Sequence, residues 1–421
     1  MLDPKLILAQ PDLFKEIARK KRVNFDVDAF IALDEKRRAL QTEGDALKAE
    51  KNEASKRIAQ LQGEERNAAI ATMQSQGDTE KKVDEHLKEV EAAWTELLLR
   101  APGLISNEVP EGKDDTENVE LYTHGELPKF DFEAKDHVTL GKNLDILDIE
   151  RGVKIAGSRS YFLKGDGALL ELAILQYTLH KLVAKGFTAF LPPLLVNREA
   201  MTGTGYFPGG EEQAYTLTQD EKYLIGTSEV PVASYHSDET LDESELPKLY
   251  AGYSYCFRRE AGTYGKDTHG LYRIHQFQKV EQVVICKADM AESQKMHEFL
   301  LKNAEEVLQD LKLPYRVVAV CSGDMGQGQY YKNDIETWMP SRNSYGETHS
   351  CSSFLDFQAR RLNLKYKDKD GKRHFAYTLN NTCIASPRIL IPVLECYQNA
   401  DGSITIPEVL RPWMGGRERI G

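Results

Sequence analysis

The chain has 421 residues, long for one hydrophobic core, so two or three domains are expected. With 41% hydrophobic and 29% charged residues it reads as a soluble globular protein, and no stretch approaches the length of a membrane span. A formal net charge of −12 weakens a composition-based case for an RNA partner without excluding one, since local basic patches can still steer a polyanion. The N-terminus, MLDPKLILAQPDLF, carries Asp and Pro inside what would be a signal's apolar region, so the expected location is the cytoplasm. Cys256, Cys286, Cys321, Cys351, Cys383 and Cys396 form no CxxC pair. They read as reduced, mostly buried thiols, with no zinc site expected.

Residues 1–25 form a short helical lead-in with two prolines. From Asp26 the pattern becomes a long helix, with Leu33, Leu40, Leu47, Ala54 and Leu61 every seven residues. The companion positions Phe30, Arg37, Gly44, Lys51 and Ile58 are mixed, so the seam is imperfect. After a polar, Gly-containing interval, Val83, Leu87, Val90, Trp94, Leu97 and Ala101 repeat at alternating spacings of four and three. Two such helices separated by a polar break predict an antiparallel hairpin over about 26–101. A helix from Asp26 to Leu61 extends roughly 50 Å at about 1.5 Å per residue. Its charges are mixed, and from the residues alone a dimerising coiled coil with a solvated surface is the simplest reading.

Pro102, Gly103, Pro110 and Gly112, with the acidic pair Asp114 and Asp115, mark a linker into a second domain. A helical pattern from Gly165, with Leu169, Leu172, Ala173, Leu179 and Val183, ends at Gly186 and feeds a strand from Phe187 to Leu191 before Pro192 and Pro193. MTGTGYFP, Met201 to Pro208, is a Gly-rich loop without the spacing of a phosphate-cradling Walker loop. In YLIGTSE, Tyr223 to Glu229, Thr227 and Glu229 share a strand face two residues apart; most such triplets are solvated strand ends.

The stretch from Gly252 to Glu281 predicts a hairpin, with strands over Tyr253–Glu260 and Leu271–Cys286 and a Gly-rich loop over Ala261–Gly270. Alternation puts Arg258 and Glu260 on one face of the first strand, and Arg273, Phe277 and Glu281 on one face of the second. Arginine forks suit phosphate oxygens and an aromatic ring suits a base; the rival reading is a solvated face of ion pairs. A helix over Asp289–Leu311 and a strand over Tyr315–Val320 precede ETHSCSSFLDFQARR. There His349 and Cys351 share a face, and without a third or fourth ligand at suitable spacing they read as packing and not as a metal site. Lastly, YTLNNTCIASPRILIPVL runs as strand, turn and helix, with Ser386 as N-cap, Pro387 at the first helical position and Arg388 in the first turn, an arrangement that favours an anion.

FRRE at Phe257 to Glu260, followed by a long loop and HQFQKVEQ, resembles the second motif of class II aminoacyl-tRNA synthetases, specifically the seryl-tRNA synthetase family of bacterial type. The helix and strand of residues 165–191 resemble the first motif, and the turn carrying Arg388 the third, with Asn381, Thr382 and Ala385 where other members have glycines. The resemblance runs nearly end to end. It implies an α+β chain: an N-terminal tRNA-binding domain over 1–103 with its antiparallel two-helix coiled-coil arm, then a class II catalytic domain over 104–421 on a mostly antiparallel sheet flanked by helices.

The same resemblance implies ATP with Mg2+, L-serine and tRNA(Ser), with tRNA(Sec) as a second candidate, a homodimer, and neither a membrane nor a DNA partner. It makes Arg258, Arg273 and Arg388 the catalytic arginines. ATP falls to Arg258, Arg259, Glu260, Phe277, Glu347, Thr348, His349, Ser350 and Arg388, and the magnesium to Glu347 and Ser350. Serine falls to Thr227, Ser228, Glu229, Glu281 and Thr382. Two rivals stand: a relative that loads a carrier protein, against which the long arm speaks, and a non-catalytic RNA-binding scaffold, against which the intact Arg258, Glu260, Glu347 and Arg388 speak.

Overall fold

A computed structural model describes residues 2–262, 265 and 269–421. Thr263, Tyr264, Lys266, Asp267 and Thr268, part of the expected hairpin loop, lie outside the described residues. The chain divides into two compact units, Met1–Pro102 and Gly103–Gly421.

The first unit is helical. Helices α1 (Pro4–Ala9) and α2 (Pro11–Lys20) each begin on a proline, whose missing N–H costs nothing in a first turn. Helix α3 (Val27–Ile58) starts where the Asp26 side chain accepts from the Ala29 N–H at 2.9 Å. Helix α4 spans Gly63–Leu99, so the polar interval expected to break the hairpin is itself helical. It is rich in Glu, Ala, Gln and Lys, which favour helix without any apolar face, and periodicity alone could not register it. The two helices run antiparallel: Asp34 meets Trp94, Lys48 meets Asp84 and Lys51 meets Glu80.

The positions that made the seam look imperfect are the ones that tie it together. Phe30 is fully buried and stacks on Trp94 with ring centroids 5.8 Å apart. Trp94 Nε1 donates to the buried Asp34 at 3.1 Å, and Arg37 lies over the same indole at 4.9 Å. Leu40, Val83, Leu87 and Val90 fill the apolar stripe, with Leu33 and Leu47 packed against it.

The second unit is built on an eight-stranded sheet of β1 (Val119–His124), β2 (Thr188–Phe190), β3 (Lys248–Phe257), β4 (Gln276–Cys286), β5 (Tyr315–Ala319), β6 (Tyr331–Met339), β7 (Ser344–Leu355) and β8 (Tyr377–Ser386). The spatial order is β1-β5-β6-β7-β8-β4-β3-β2, and every pairing is antiparallel except β2 with β3. Helices α5 (Asp166–Ala184), α7 (Met290–Asp310) and α8 (Leu390–Cys396) cover one face, where Ile174, Leu300, Val307 and Val393 bury Val280, Val284 and Ile384. Helix α6 (Glu229–Ala233) lies on the other side, in a second cluster with Val283, Ile285 and Leu362.

Strand β4 lies inside this sheet with both edges paired, and side chains pack on both of its faces. Its even-numbered positions serve the helices. Its odd-numbered ones begin as Phe277, Lys279 and Glu281 before turning apolar at Val283 and Ile285.

Candidate active site

The site is assembled from strand ends and the turns beyond them. Strand β3 stops at Phe257, and Glu260 adopts a left-handed φ of 51°, a backbone state in which no strand continues. The expected strand over Leu271–Cys286 begins only at Gln276. Arg273 therefore reaches the site from a turn and not from the face that carries Phe277.

One cavity nevertheless collects Arg258, Glu260, Arg273, Phe277, Lys279, Gln329, Lys332, Glu347, Thr348, Ser350, Thr382, Ser386 and Arg388. Arg258 donates from Nε to the Gly226 carbonyl at 3.2 Å and lies over the Phe277 ring at 5.2 Å. A guanidinium above an aromatic face gains from the ring quadrupole while its remaining N–H groups stay available to an anion. Arg273 Nη1 meets Glu260 Oε2 at 3.3 Å.

Arg388 does not lie in a helix N-terminus. Ser386 is still paired with Gln278 in the sheet, and α8 begins at Leu390, so the turn between them carries the arginine. Its orientation is set instead by the carbonyls of Tyr272, 3.1 Å from Nε, and Glu347, 3.0 Å from Nη1, and by the Tyr272 ring 4.4 Å below the guanidinium. Enclosure by the cavity walls would raise the Glu347 carboxyl, but the positive charges of Arg388, Lys332, Arg258 and Arg273 hold it below the usual carboxylate range.

A second, more deeply buried cluster adjoins this cavity through Thr382 and Lys279. Asn380 Nδ2 donates to Glu229 Oε2 at 2.8 Å and to Glu281 Oε1 at 2.9 Å, so one amide joins two carboxylates from distant parts of the chain. Glu229 also accepts from Gln358 Nε2 at 2.7 Å and Tyr206 OH at 3.2 Å. Glu281 accepts from the Thr382 hydroxyl at 3.2 Å and forms an ion pair with Lys279. Burial, reinforced by the charge of Glu281, pushes the Glu229 carboxyl up to about 7.

Comparison with known proteins gives this constellation a lineage. Residues 1–105 match the seryl-tRNA synthetase N-terminal domain, and residues 215–397 match the class II core domain of tRNA synthetases for G, H, P, S and T. A serine–tRNA ligase of Deinococcus radiodurans is 47% identical over 421 residues, covering 100% of this chain and 99% of that one. This chain belongs to the seryl-tRNA synthetase family. A serine–tRNA ligase of Nitrosopumilus maritimus is 39% identical over 423 residues, with both chains covered in full. Among solved structures, the seryl-tRNA synthetase of Pyrococcus horikoshii complexed with ATP superposes with a TM-score of 0.91 at 36% identity, covering 100% of this chain and 99% of that one.

Within this family framework, some residues singled out from the sequence lie outside the cavity lining. Thr227, Ser228 and Glu229 are buried at the start of α6 and do not form the solvated strand end that such a triplet usually makes. The Ser228 hydroxyl donates to the Gly252 carbonyl at 3.0 Å, and Thr227 Oγ1 accepts from the Glu229 N–H at 3.2 Å. Arg259 is exposed and pairs through its backbone with Gln213. His349 is buried with Nδ1 2.7 Å from Thr348 Oγ1, and burial pulls its imidazole down to about 3. Cys351 lies 3.7 Å from His297 Nδ1, and among the described residues no cluster of three or more His, Cys, Asp or Glu is placed to hold a metal.

Lys279, Lys332, Gln329, Asn380, Gln358 and Tyr206 escaped the sequence reading. Only Lys279 carried a legible signal, since it occupies the same alternation as Phe277 and Glu281.

The raised carboxyl of Glu229 makes a prediction for stability. A group whose folded pKa exceeds its unfolded value favours the fold below the unfolded value, about 4.5, and loses that contribution as pH rises through about 7. Urea unfolding of wild type and Glu229→Gln across pH 4.5–8 should show the variant gaining on wild type as pH rises, whatever constant offset the amide introduces. A difference that does not vary with pH contradicts the assignment.

Proposed function

We propose that this chain is a serine–tRNA ligase that activates L-serine with ATP and transfers the seryl group to tRNA(Ser). The observation that carries the proposal is the junction of two chemistries: a cation-rich cavity with Arg258 over Phe277, adjoining through Thr382 and Lys279 the buried Glu229 and Glu281 joined by Asn380. The first suits a nucleoside triphosphate, the second a small ammonium-bearing hydroxy acid.

In the first step the serine carboxylate attacks the α-phosphate of ATP, forming seryl-adenylate and releasing pyrophosphate. In the second, the 3′-terminal ribose hydroxyl of the tRNA takes the acyl group and AMP leaves. Neither step needs a protein nucleophile. Catalysis rests on alignment and on stabilising charge at the reacting phosphate. Arg258 holds the α-phosphate with the help of Arg273, Arg388 holds the γ-phosphate, and Phe277 with Glu260 holds the adenine. Glu229, Glu281 and Thr382 take the ammonium and hydroxyl of serine. Glu229 Oε1 and Glu281 Oε1 each accept from one donor and keep a second lone pair, whereas the Oε2 atoms of both already meet two.

The half-exposed Glu347 carboxylate, kept ionised by its cationic neighbours, and the Ser350 hydroxyl are hard oxygen donors that would hold Mg2+. Bound there, such an ion would supply neutralisation of phosphate charge.

Leu169, Leu172 and Val183 on α5, with Leu191 and Leu195 just beyond, are exposed apolar side chains on one run of chain and support a homodimer. These reactions belong in the cytoplasm, where six free thiols stay reduced.

Serine-dependent ATP–pyrophosphate exchange tests the activation step. Wild type should exchange with serine and not with alanine, and Arg388→Ala should lose at least 100-fold (about 2.7 kcal/mol) while keeping its thermal unfolding midpoint. Exchange within a few-fold of wild type in the folded variant contradicts the role of Arg388. Replacing residues 30–98 by a short flexible linker should leave exchange intact, because the first unit contributes no residue to the proposed ATP and serine contacts, and should abolish tRNA charging. Undiminished charging by that protein would make the arm a structural coiled coil only.

A further inference from the structure

Beyond the arginines, the same cavity holds two lysines, Lys279 and Lys332, to which the family resemblance assigns no role. Lys332 lies on β6, three strands from β4 in the order β6-β7-β8-β4, and lines the cavity together with Glu347 and Ser350. Register explains its direction. Lys332 pairs with Ser352 and Asp334 with Ser350 across β6 and β7, so all four side chains share the cavity face. Asn333 and Ile335 turn to the opposite face, where Asn333 Oδ1 lies 2.8 Å from His297 Nε2.

Lys332 is 14% exposed and its Nζ lies 2.9 Å from Oδ2 of Asp334, itself 5% exposed. Asp334 faces Ser350 across the strand pair as well as Lys332, and burial pushes its carboxyl up to about 7 against the pull of the ammonium. Desolvation disfavours a buried lysine unless an opposite charge compensates it, which Asp334 does on this cavity wall. Five cationic side chains, Arg258, Arg273, Lys279, Lys332 and Arg388, line the cavity against two carboxylates, Glu260 and Glu347, and that surplus suits a polyphosphate. Of the five, Lys279 pairs with Glu281 and Lys332 with Asp334, while Arg258 lies over Phe277 and Arg388 over Tyr272. Lys332 supplies the positive charge on the wall that carries Glu347 and Ser350.

We infer that Lys332 is a further phosphate-binding residue, contacting the polyphosphate chain of ATP and the pyrophosphate that leaves, and that Asp334 is its positioning residue. This rests on the reading of the cavity as the ATP site. A lysine ammonium is a point charge with three rotatable donors, so it can follow the phosphate from bound triphosphate to departing pyrophosphate without the fixed plane a guanidinium demands.

The test is steady-state exchange kinetics on the full chain, with KM for ATP, pyrophosphate and serine measured separately. Lys332→Met should raise KM for both ATP and pyrophosphate about tenfold or more and leave that for serine within twofold, since charge-assisted hydrogen bonds are the strong ones. Lys332→Arg should recover most of the loss. Because the single change strands Asp334 without its partner, the double variant Lys332→Met with Asp334→Asn keeps the measurement interpretable if the single one unfolds, and should show the same split. Unchanged KM values for ATP and pyrophosphate, or a parallel rise in all three, overturn the inference and leave Lys332 a counter-ion of the sheet. An inactive wild type would instead strike down the reading of the site itself, and this inference with it.

Discussion

Two carboxylates, Glu229 and Glu281, are buried together and joined by a single amide, and the catalytic unit is arranged around that constraint. Like charges in a poorly solvated place repel, and burial alone disfavours each of them. The structure meets the cost with donors from every side: Gln358 and Tyr206 on Glu229, Thr382 and Lys279 on Glu281, and Asn380 on both. These come from four separate segments, Asn380 and Thr382 sharing β8, so the pocket exists only when the sheet and its flanking turns are assembled. On the proposed reading, an incoming ammonium adds a second positive charge to the one that Lys279 already brings to Glu281.

Backbone shape makes the cluster possible. Gly252 lies on β3 opposite Glu281, and a Cβ there would fall 2.8 Å from Ser228 Oγ. Without a side chain at 252, Ser228 can donate to its carbonyl and the start of α6 can lie flat on the strand, which delivers Glu229 to Glu281. The buried triplet Thr227, Ser228 and Glu229 thus divides its labour. The serine anchors the chain, the threonine receives the Glu229 N–H, and the glutamate faces the pocket.

Much of this was legible in the sequence where chemistry follows a local period. Alternation put Phe277 and Glu281 on one face of β4, and heptad spacing found the seam of α3 with α4. What the period could not give were partners from elsewhere in the chain. Asn380, Gln358 and Tyr206 are ordinary polar residues until the fold brings them to Glu229. Lys332 looked like one more surface lysine on a strand. Local propensity also misled at the ends of elements. Ser-Pro-Arg reads as a helix start, yet pairing of Ser386 with Gln278 keeps the sheet running and leaves Arg388 in a turn. In the arm, Arg37, Gly44 and Lys51 seemed to spoil the seam. Arg37 covers Trp94, Lys51 pairs with Glu80, and a Cβ on Gly44 would already touch Val83 and Asp84 at 3.8 Å. A seam that mixes apolar and charged contacts is harder to read than one of leucines alone.

The account stands or falls on the paired carboxylates being a pocket for serine. Calorimetric binding of non-hydrolysable seryl-adenylate and alanyl-adenylate analogues, which differ by one hydroxyl, tests it most directly. Polar groups built to hold that hydroxyl are left unpaired by the alanyl compound, so the account predicts a preference for the seryl analogue of about 10⁴-fold. Equal affinity for the two would contradict it.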